Sequence, residues 1–225
     1  VVADDHFMEI SHIMRAEEWL PSTPRHLQLF DALGFEPPQF AHLPMILGPD
    51  RSKLSKRHGA TAVSEYRNKG FLPDALINFM VLLGWSLDDK TEVMALDMIK
   101  DNFTLDRVTK SAAIFDQEKL EWMSGVYIRE MSPKELAGNM LPFLERDLPK
   151  ELVPVDRDYL DSIAPLIQER IKLMETAADS TLYFFEEQPE YDPSTLIQKG
   201  MEPQGTLDAL KSALASLNSA PTFDH

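Results

Sequence analysis

The chain has 225 residues, with 22 Lys and Arg against 37 Asp and Glu, a formal net charge of −15, 44% hydrophobic residues and no cysteine. That apolar content supplies a packed core for one large domain or two modest ones. No run approaches the roughly 18 apolar residues of a membrane span, and the missing cysteines exclude disulfides and thiolate metal sites, which is compatible with a reducing cytosol.

The charge is unevenly placed. Through Gly70 there are eight Lys and Arg against nine Asp and Glu; from Phe71 onward there are fourteen against twenty-eight. A uniformly acidic surface repels nucleic acid, because affinity there comes largely from neutralising phosphates. A cationic site on the near-neutral front segment escapes that objection. The six histidines are scattered, without His-Glu-x-x-His spacing, and no metal site is expected.

The opening Val1-Val2-Ala3-Asp4-Asp5 has neither a basic nor an apolar stretch of a signal peptide. "VVADDH" reads as the end of a strand whose partners lie upstream, so the sequence looks like a piece cut from a longer protein. The first clear helix has Thr23 as N-cap, Pro24 at its first position, Leu27, Phe30 and Leu33 on one side and Gly34 at its stop. Pro37, Pro38 and Pro44 then forbid helix and leave Met45 to Leu47 as a short buried extended piece. Next comes "RSKLSKRHGA", Arg51 to Ala60, with four cationic side chains in seven positions after a Pro49-Asp50 turn signal.

A short helix through Tyr66 should end near Gly70, and Pro73 should open another with Leu76, Ile77, Phe79, Met80 and Leu83 inward and Gly84 at its end. From Trp85 the pattern is almost wholly helical. Asp116 can cap a helix that stops at Gly125. Ser132-Pro133-Lys134-Glu135 has the form of a capping box, which makes Arg129 to Ser132 the best domain boundary. An amphipathic segment runs from about Asp158 to Met174, interrupted by Pro165, with Leu160, Ile163, Leu166, Ile167 and Ile171 apolar. Polar Glu186 to Ser194 marks a weaker boundary, and Gly205 to Leu217 is helical again. The expected fold is mainly α, with strand confined largely to the first sixty residues.

Small residues let a backbone approach a phosphate, and lysines neutralise it as mobile point charges. Lys53, Ser55, Lys56 and Arg57 offer three cations and a hydroxyl within five residues, aimed as phosphoryl or nucleotidyl transfer requires. On spacing alone an exposed, solvated basic loop is an equal reading. The loop is not a P-loop, since Gly-x-x-x-x-Gly-Lys-Ser/Thr is absent. Arg15, flanked by Ile13 and Met14, is a second oddity. Its planar fork suits a carboxylate, or it pairs internally with Glu17 or Glu18.

"KLSKRHG" resembles the KMSKS loop of class I aminoacyl-tRNA synthetases in the form used by the bacterial glutamyl branch, with Leu54 for Met and Arg57 for the final Ser. The similarity extends through "DDHFMEISHIMRAEEWLPSTPRHLQLFDALGFEPPQFAHLPMILGPDRSKLSKRHGA", "GFLPDALINFMVLLGWS" and "FDQEKLEWMSGVYIRE", to about Glu130.

The resemblance implies residues 1–12 as the end of a Rossmann-type nucleotide-binding fold, 13–131 as a helical stem-contact domain bearing the loop, and 132–225 as part of an α-helical anticodon-binding region. It implies ATP-dependent ligation of glutamate to its tRNA through glutamyl-adenylate, with Mg2+ accompanying ATP, in a cytoplasmic monomer. Lys56 would be the most direct triphosphate contact, Lys53 and Arg57 the surrounding field, and Ser55 a hydroxyl for phosphate or the turn. The backbone at Ile46 would meet adenine, Glu18 would reach the nucleotide, Arg15 would contact glutamate and Trp19 would wall its site. Trp19 and Ile46 read equally as core.

Arg107, Lys110 and Arg129 are candidate tRNA contacts or plain surface charges. The other family signature, His-x-Gly-His, is absent, so the chain is not expected to aminoacylate alone. A glutaminyl enzyme, a short tRNA-modifying relative and a non-catalytic tRNA-binding helical module are the alternatives.

Overall fold

The computed structural model describes residues 1–55, 57, 59, 62–186, 191–197 and 199–219. It forms two compact units, Val1–Leu182 and Tyr183–His225. In chain order the first unit holds α1 (Val2–Phe7), β1 (His12–Ala16), a 3-10 turn (Glu17–Ser22), α2 (Thr23–Leu33), β2 (Gln39–Leu43), β3 (Ile46–Leu47), α3 (Val63–Lys69), α4 (Pro73–Leu82), α5 (Leu96–Asn102), β4 (Ala113–Ile114), α6 (Gln117–Glu130), α7 (Pro133–Asp147) and α8 (Arg157–Ile167). The helix α9 (Ala177–Phe185) ends in the second unit, whose main element is α10 (Pro203–Ser219). The chain is mostly helical, as its caps and apolar spacing suggest.

Two small parallel sheets interrupt the helices. β1 pairs with β2 in a register that sets Arg15 opposite His42, and β3 pairs with β4, with Ile46 opposite Ala113. The strand β4 carries no sequence signal of its own, because two residues are too few for a period. The front segment departs from expectation: "VVADDH" is the helix α1. Asp4 and Asp5 occupy its first turn, where carboxylates favour helix, and the Val1 amine lies 2.6 Å from Asp4 Oδ2.

α4 packs on α6 and α7 on α8, and on these helices Phe79, Leu120, Met123, Met140, Leu144, Leu160 and Ile167 are buried. α6 does not stop at Gly125 but runs on to Glu130. A mid-helix glycine costs only about 1 kcal/mol, and Ile128 is fully buried in the following turn. Gln168 Nε2 then donates to the carbonyls of Ile128 (2.8 Å) and Met131 (2.9 Å), satisfying acceptors that a helix C-terminus leaves open. Met131 is extended, and Ser132 caps α7.

Several inward assignments also change. Phe30 and Phe79 are buried, but Leu27, Leu33, Ile77, Met80 and Leu166 are exposed, and Ala75 and Asn78 take core positions on α4. The N-cap of α2 is Ser22, one residue earlier than Thr23. α8 ends at Ile167 rather than near Met174, although Ile171 and Met174 remain buried.

Gly34 and Gly70 end α2 and α3 in the left-handed region, at φ 67° and 77°. A Cβ at Gly34 would meet nothing within 4 Å, whereas one at Gly70 would fall 2.5 Å from Met174 Cβ and 2.8 Å from its backbone nitrogen. Gly34→Ala should therefore lose only the left-handed penalty of roughly 1–2 kcal/mol, and Gly70→Ala should lose a further 1–3 kcal/mol or so from overpacking. Urea unfolding of both variants checks this; equal losses would show that the Met174 contact yields freely.

The capping box at α7 is complete. Ser132 Oγ accepts from Glu135 N–H (3.4 Å), and Glu135 Oε2 accepts from Ser132 N–H (2.9 Å) and Oγ–H (2.6 Å). Ser132→Ala should cost about 1 kcal/mol in the same assay. The Ser132 hydroxyl and then its N–H hold the Glu135 carboxyl below its ordinary range. A depressed carboxyl contributes stability above its unfolded pKa and loses it as pH falls through the folded one, so the destabilisation by Ser132→Ala should shrink on acidification through that window.

Candidate active site

Arg15 lies on β1, and β1 runs directly into the 3-10 turn that carries Glu17, Glu18 and Trp19. Its guanidinium does not pair with Glu17 or Glu18; among the described residues no carboxylate bonds it. Nη2 donates to Thr23 Oγ1 at 2.9 Å, and Nη1 and Nη2 share His26 Nδ1, each at 3.3 Å. A guanidinium only donates, so His26 Nδ1 accepts and the ring carries its proton on Nε2. The Trp19 and Phe40 rings flank the charge, 5.8 and 5.4 Å from Cζ, within cation–π range. Arg15 Nε is shielded from solvent and has no acceptor in this arrangement.

Thr23 joins the pieces. Its single hydroxyl proton goes to the Trp19 carbonyl at 3.1 Å while the oxygen accepts from Arg15. The remaining neighbour, His42 Nε2 at 3.0 Å, must then donate. Pairing of β1 with β2 brings His42 there, and Phe40, two residues earlier, is on the same strand face and parallel to the His42 ring. Thr23 was read from the sequence only as a helix cap, and His26, Phe40 and His42 were not singled out as site residues. The available signals were the i, i+3 spacing of Thr23 and His26 on one helix turn and the i, i+2 spacing of Phe40 and His42 on a strand. Trp19 is half exposed rather than core.

The basic loop folds by its own backbone. Gly48 N–H donates to the Ser52 carbonyl (2.8 Å), Arg51 N–H to Gly48 (2.9 Å) and Leu54 N–H to Ile46 (3.0 Å), doubling the chain back along β3. Arg51 takes a left-handed φ of 60° in the turn. Asp50 Oδ1 accepts from Ser52 N–H (2.9 Å) and Oγ–H (2.8 Å), an Asx turn. Arg57 Nη2 donates to Ser52 Oγ at 3.2 Å. Lys53 reaches out of the loop and forms an ion pair with Glu18, joining the loop to the turn after Arg15. Ser55 is half-buried. Lys56 lies outside the described residues.

Ile46 is on an exposed edge, not buried as the sequence suggested. It lines a small cavity of about 150 Å³ with Met45, Met80, Leu83 and Val108. Next to it, a cleft of about 240 Å³ is bounded by Glu17, His42, Leu43, Val108 and Lys110. Of the other cations considered, Arg107 donates to the Leu87 carbonyl and covers the Trp85 ring, with its Cζ 5.2 Å from the ring centre, and Arg129 lies 3.9 Å from Glu169. Among the described residues the site thus gathers a guanidinium beside two aromatic rings with no bonded carboxylate, and a basic loop tied to the next turn by an exposed ion pair. An anion recognised by a planar fork and a phosphate met by mobile cations fit these two halves.

Residues 1–122 match the family described as tRNA synthetases class I (E and Q), catalytic domain, and residues 135–225 match the anticodon binding domain. Relatives named glutamate–tRNA ligase include that of Dehalococcoides mccartyi, 51% identical over 99% of this chain and 46% of its own length. That of Moorella thermoacetica is 44% identical over the same shares. Among solved structures, a glutamate tRNA ligase from Elizabethkingia meningosepticum in complex with its amino acid superposes with a TM-score of 0.75 at 31% identity, over 98% of this chain and 46% of that one. The chain spans about half the length of the relatives it matches. It belongs to the class I tRNA synthetases of the glutamate and glutamine type.

Proposed function

We propose that this chain forms part of a cytoplasmic, monomeric glutamate–tRNA ligase that joins glutamate to tRNA(Glu) in two steps. The glutamate α-carboxylate attacks the ATP α-phosphorus, giving glutamyl-adenylate and pyrophosphate. The tRNA 3′-terminal hydroxyl then attacks the activated carbonyl, giving glutamyl-tRNA and AMP. The observation that carries this reading is Arg15. Among the described residues no carboxylate bonds its guanidinium, and a substrate carboxylate reaching the planar fork supplies the missing counter-charge. The relatives' name favours glutamate over glutamine.

In this reading Arg15 binds the substrate carboxylate and Trp19 walls it. Lys53, Lys56 and Arg57 offset charge on the triphosphate, with Ser55 as a hydroxyl donor and Glu18 and the Ile46 backbone toward the nucleoside. The exposed Lys53–Glu18 pair supports a loop that can exchange an internal partner for a ligand, since such pairs are worth only about 0–1 kcal/mol. Mg2+ enters with ATP as part of that substrate. The anticodon-binding match supports tRNA as the partner of the helical region.

Substitutions in the full-length ligase test these roles. Arg15→Ala should raise the KM for glutamate by roughly thirtyfold or more, the size of losing a charge-assisted contact of 2–5 kcal/mol, and change the KM for ATP little. An equal effect on both substrates would leave Arg15 a structural part of the turn. Lys56→Ala should slow adenylate formation by about a hundredfold, the scale of removing one preorganised electrostatic donor, with ATP affinity changing far less. A normal activation rate with weaker tRNA binding, measured before steady state, would assign the loop to the tRNA backbone.

A further inference from the structure

Among the partners of Arg15, Thr23 is the one whose hydroxyl also reaches two other elements of the site. Thr23 is nearly buried, and its hydroxyl touches three elements besides its own helix: Arg15 on β1 at 2.9 Å, the Trp19 carbonyl in the 3-10 turn at 3.1 Å and His42 on β2 at 3.0 Å. Each contact uses a different capacity of one oxygen. The proton goes to Trp19, and the lone pairs accept from Arg15 and His42. The methyl group of Thr23 supplies none of this.

We propose that Thr23 is a positioning residue for amino-acid recognition: its hydroxyl sets the angle of the Arg15 fork and fixes the Trp19 backbone against it, with His26 as the second stay on the guanidinium. The proposal rests on Arg15 as the glutamate contact. Arg15 has four rotatable side-chain bonds, and the cation–π contacts with Trp19 and Phe40 restrain the distance of its charge from the rings more than the direction of its N–H groups. Stacking is weakly directional in the ring plane; hydrogen bonds are strongly so. The bonds to Thr23 and His26 therefore decide which guanidinium edge faces the site. Misplacement by about an ångström weakens recognition without unfolding anything. Because the hydroxyl also holds Trp19, one oxygen orients both the cationic contact and the aromatic wall.

The test compares Thr23→Val, which keeps the shape and loses the oxygen, with Thr23→Ser, which keeps the oxygen and loses the methyl, in the full-length ligase. Thr23→Val should raise the KM for glutamate roughly tenfold, the worth of a hydrogen bond to a charged group, with kcat and the KM for ATP within about threefold. Thr23→Ser should restore near-normal glutamate KM. In an Arg15→Ala background the Val substitution should add much less, because Thr23 acts mainly through Arg15.

His26→Phe offers a second variant that leaves the Thr23 oxygen in place, and it should raise the glutamate KM several-fold on its own; it decides the matter should Thr23→Val not fold, as judged by thermal melting. A normal glutamate KM in Thr23→Val or in folded His26→Phe, or equal defects in the Val and Ser variants, would overturn the proposal. If Arg15→Ala itself leaves the glutamate KM unchanged, the reading of Arg15 falls and this one with it. If Arg15→Ala raises it and Thr23→Val does not, only the positioning role is lost.

Discussion

The parallel pairing of β1 with β2 is the constraint on which the candidate site depends. Its register puts Arg15 opposite His42, so a guanidinium is partly withdrawn from water where, among the described residues, no carboxylate bonds it. Removing a cation from water without a counter-charge is unfavourable. The surroundings offset that with two aromatic faces, a hydroxyl and an imidazole nitrogen. None of these neutralises the charge. The charge stays available, as the proposed binding of a carboxylate requires. A glutamate in place of His26 would hold Arg15 more tightly and also spend its charge.

The basic loop follows the opposite logic. Its backbone through Leu54 is folded by short-range bonds among Ile46, Gly48, Arg51, Ser52 and Leu54 and by the Asp50 Asx turn, none of which uses a cationic side chain. Lys53 is solvent-exposed, and its pair with Glu18 is screened. One half of the site is thus held by part-buried hydrogen bonds, while the described cations of the other half, Lys53 and Arg57, make exposed contacts. A carboxylate needs direction, and a triphosphate, with many oxygens, needs charge within reach.

Helix ends were readable because caps are local: Gly34, Gly70, Asp116 and Ser132 all mark real boundaries. Faces were less readable. Ile77 and Met80 are as apolar as Phe79 but exposed, because which side of α4 is covered is decided by α6, far along the chain. Acidic "VVADDH" is a helix rather than a strand for a similar reason: the strand reading needed partners that the sequence did not itself contain, while the two carboxylates favour a helix start at once. At the site, Arg15 was visible as a charge among apolar neighbours. The residues that hold it come from the 3-10 turn, α2 and β2, and only the fold brings Thr23, His26, Phe40 and His42 together around it.

The acidity beyond Phe71 bears on the proposed tRNA partner. Many cations of that region are already engaged: Arg107 with the Leu87 carbonyl and Trp85, Arg146 with Asp147 and the Asn68 carbonyl, Arg157 with Asp161 and the Lys134 carbonyl, and Lys119 with Glu92. These arginines bridge backbone carbonyls across elements, so moving them onto phosphate would cost packing as well as an ion pair. A polyanion approaching such a surface gains little from diffuse attraction, which depends on net local charge. The proposed recognition of tRNA on the helical side would then rest on shape and on a few well-placed contacts, and net acidity there disfavours nucleic acids that fit poorly.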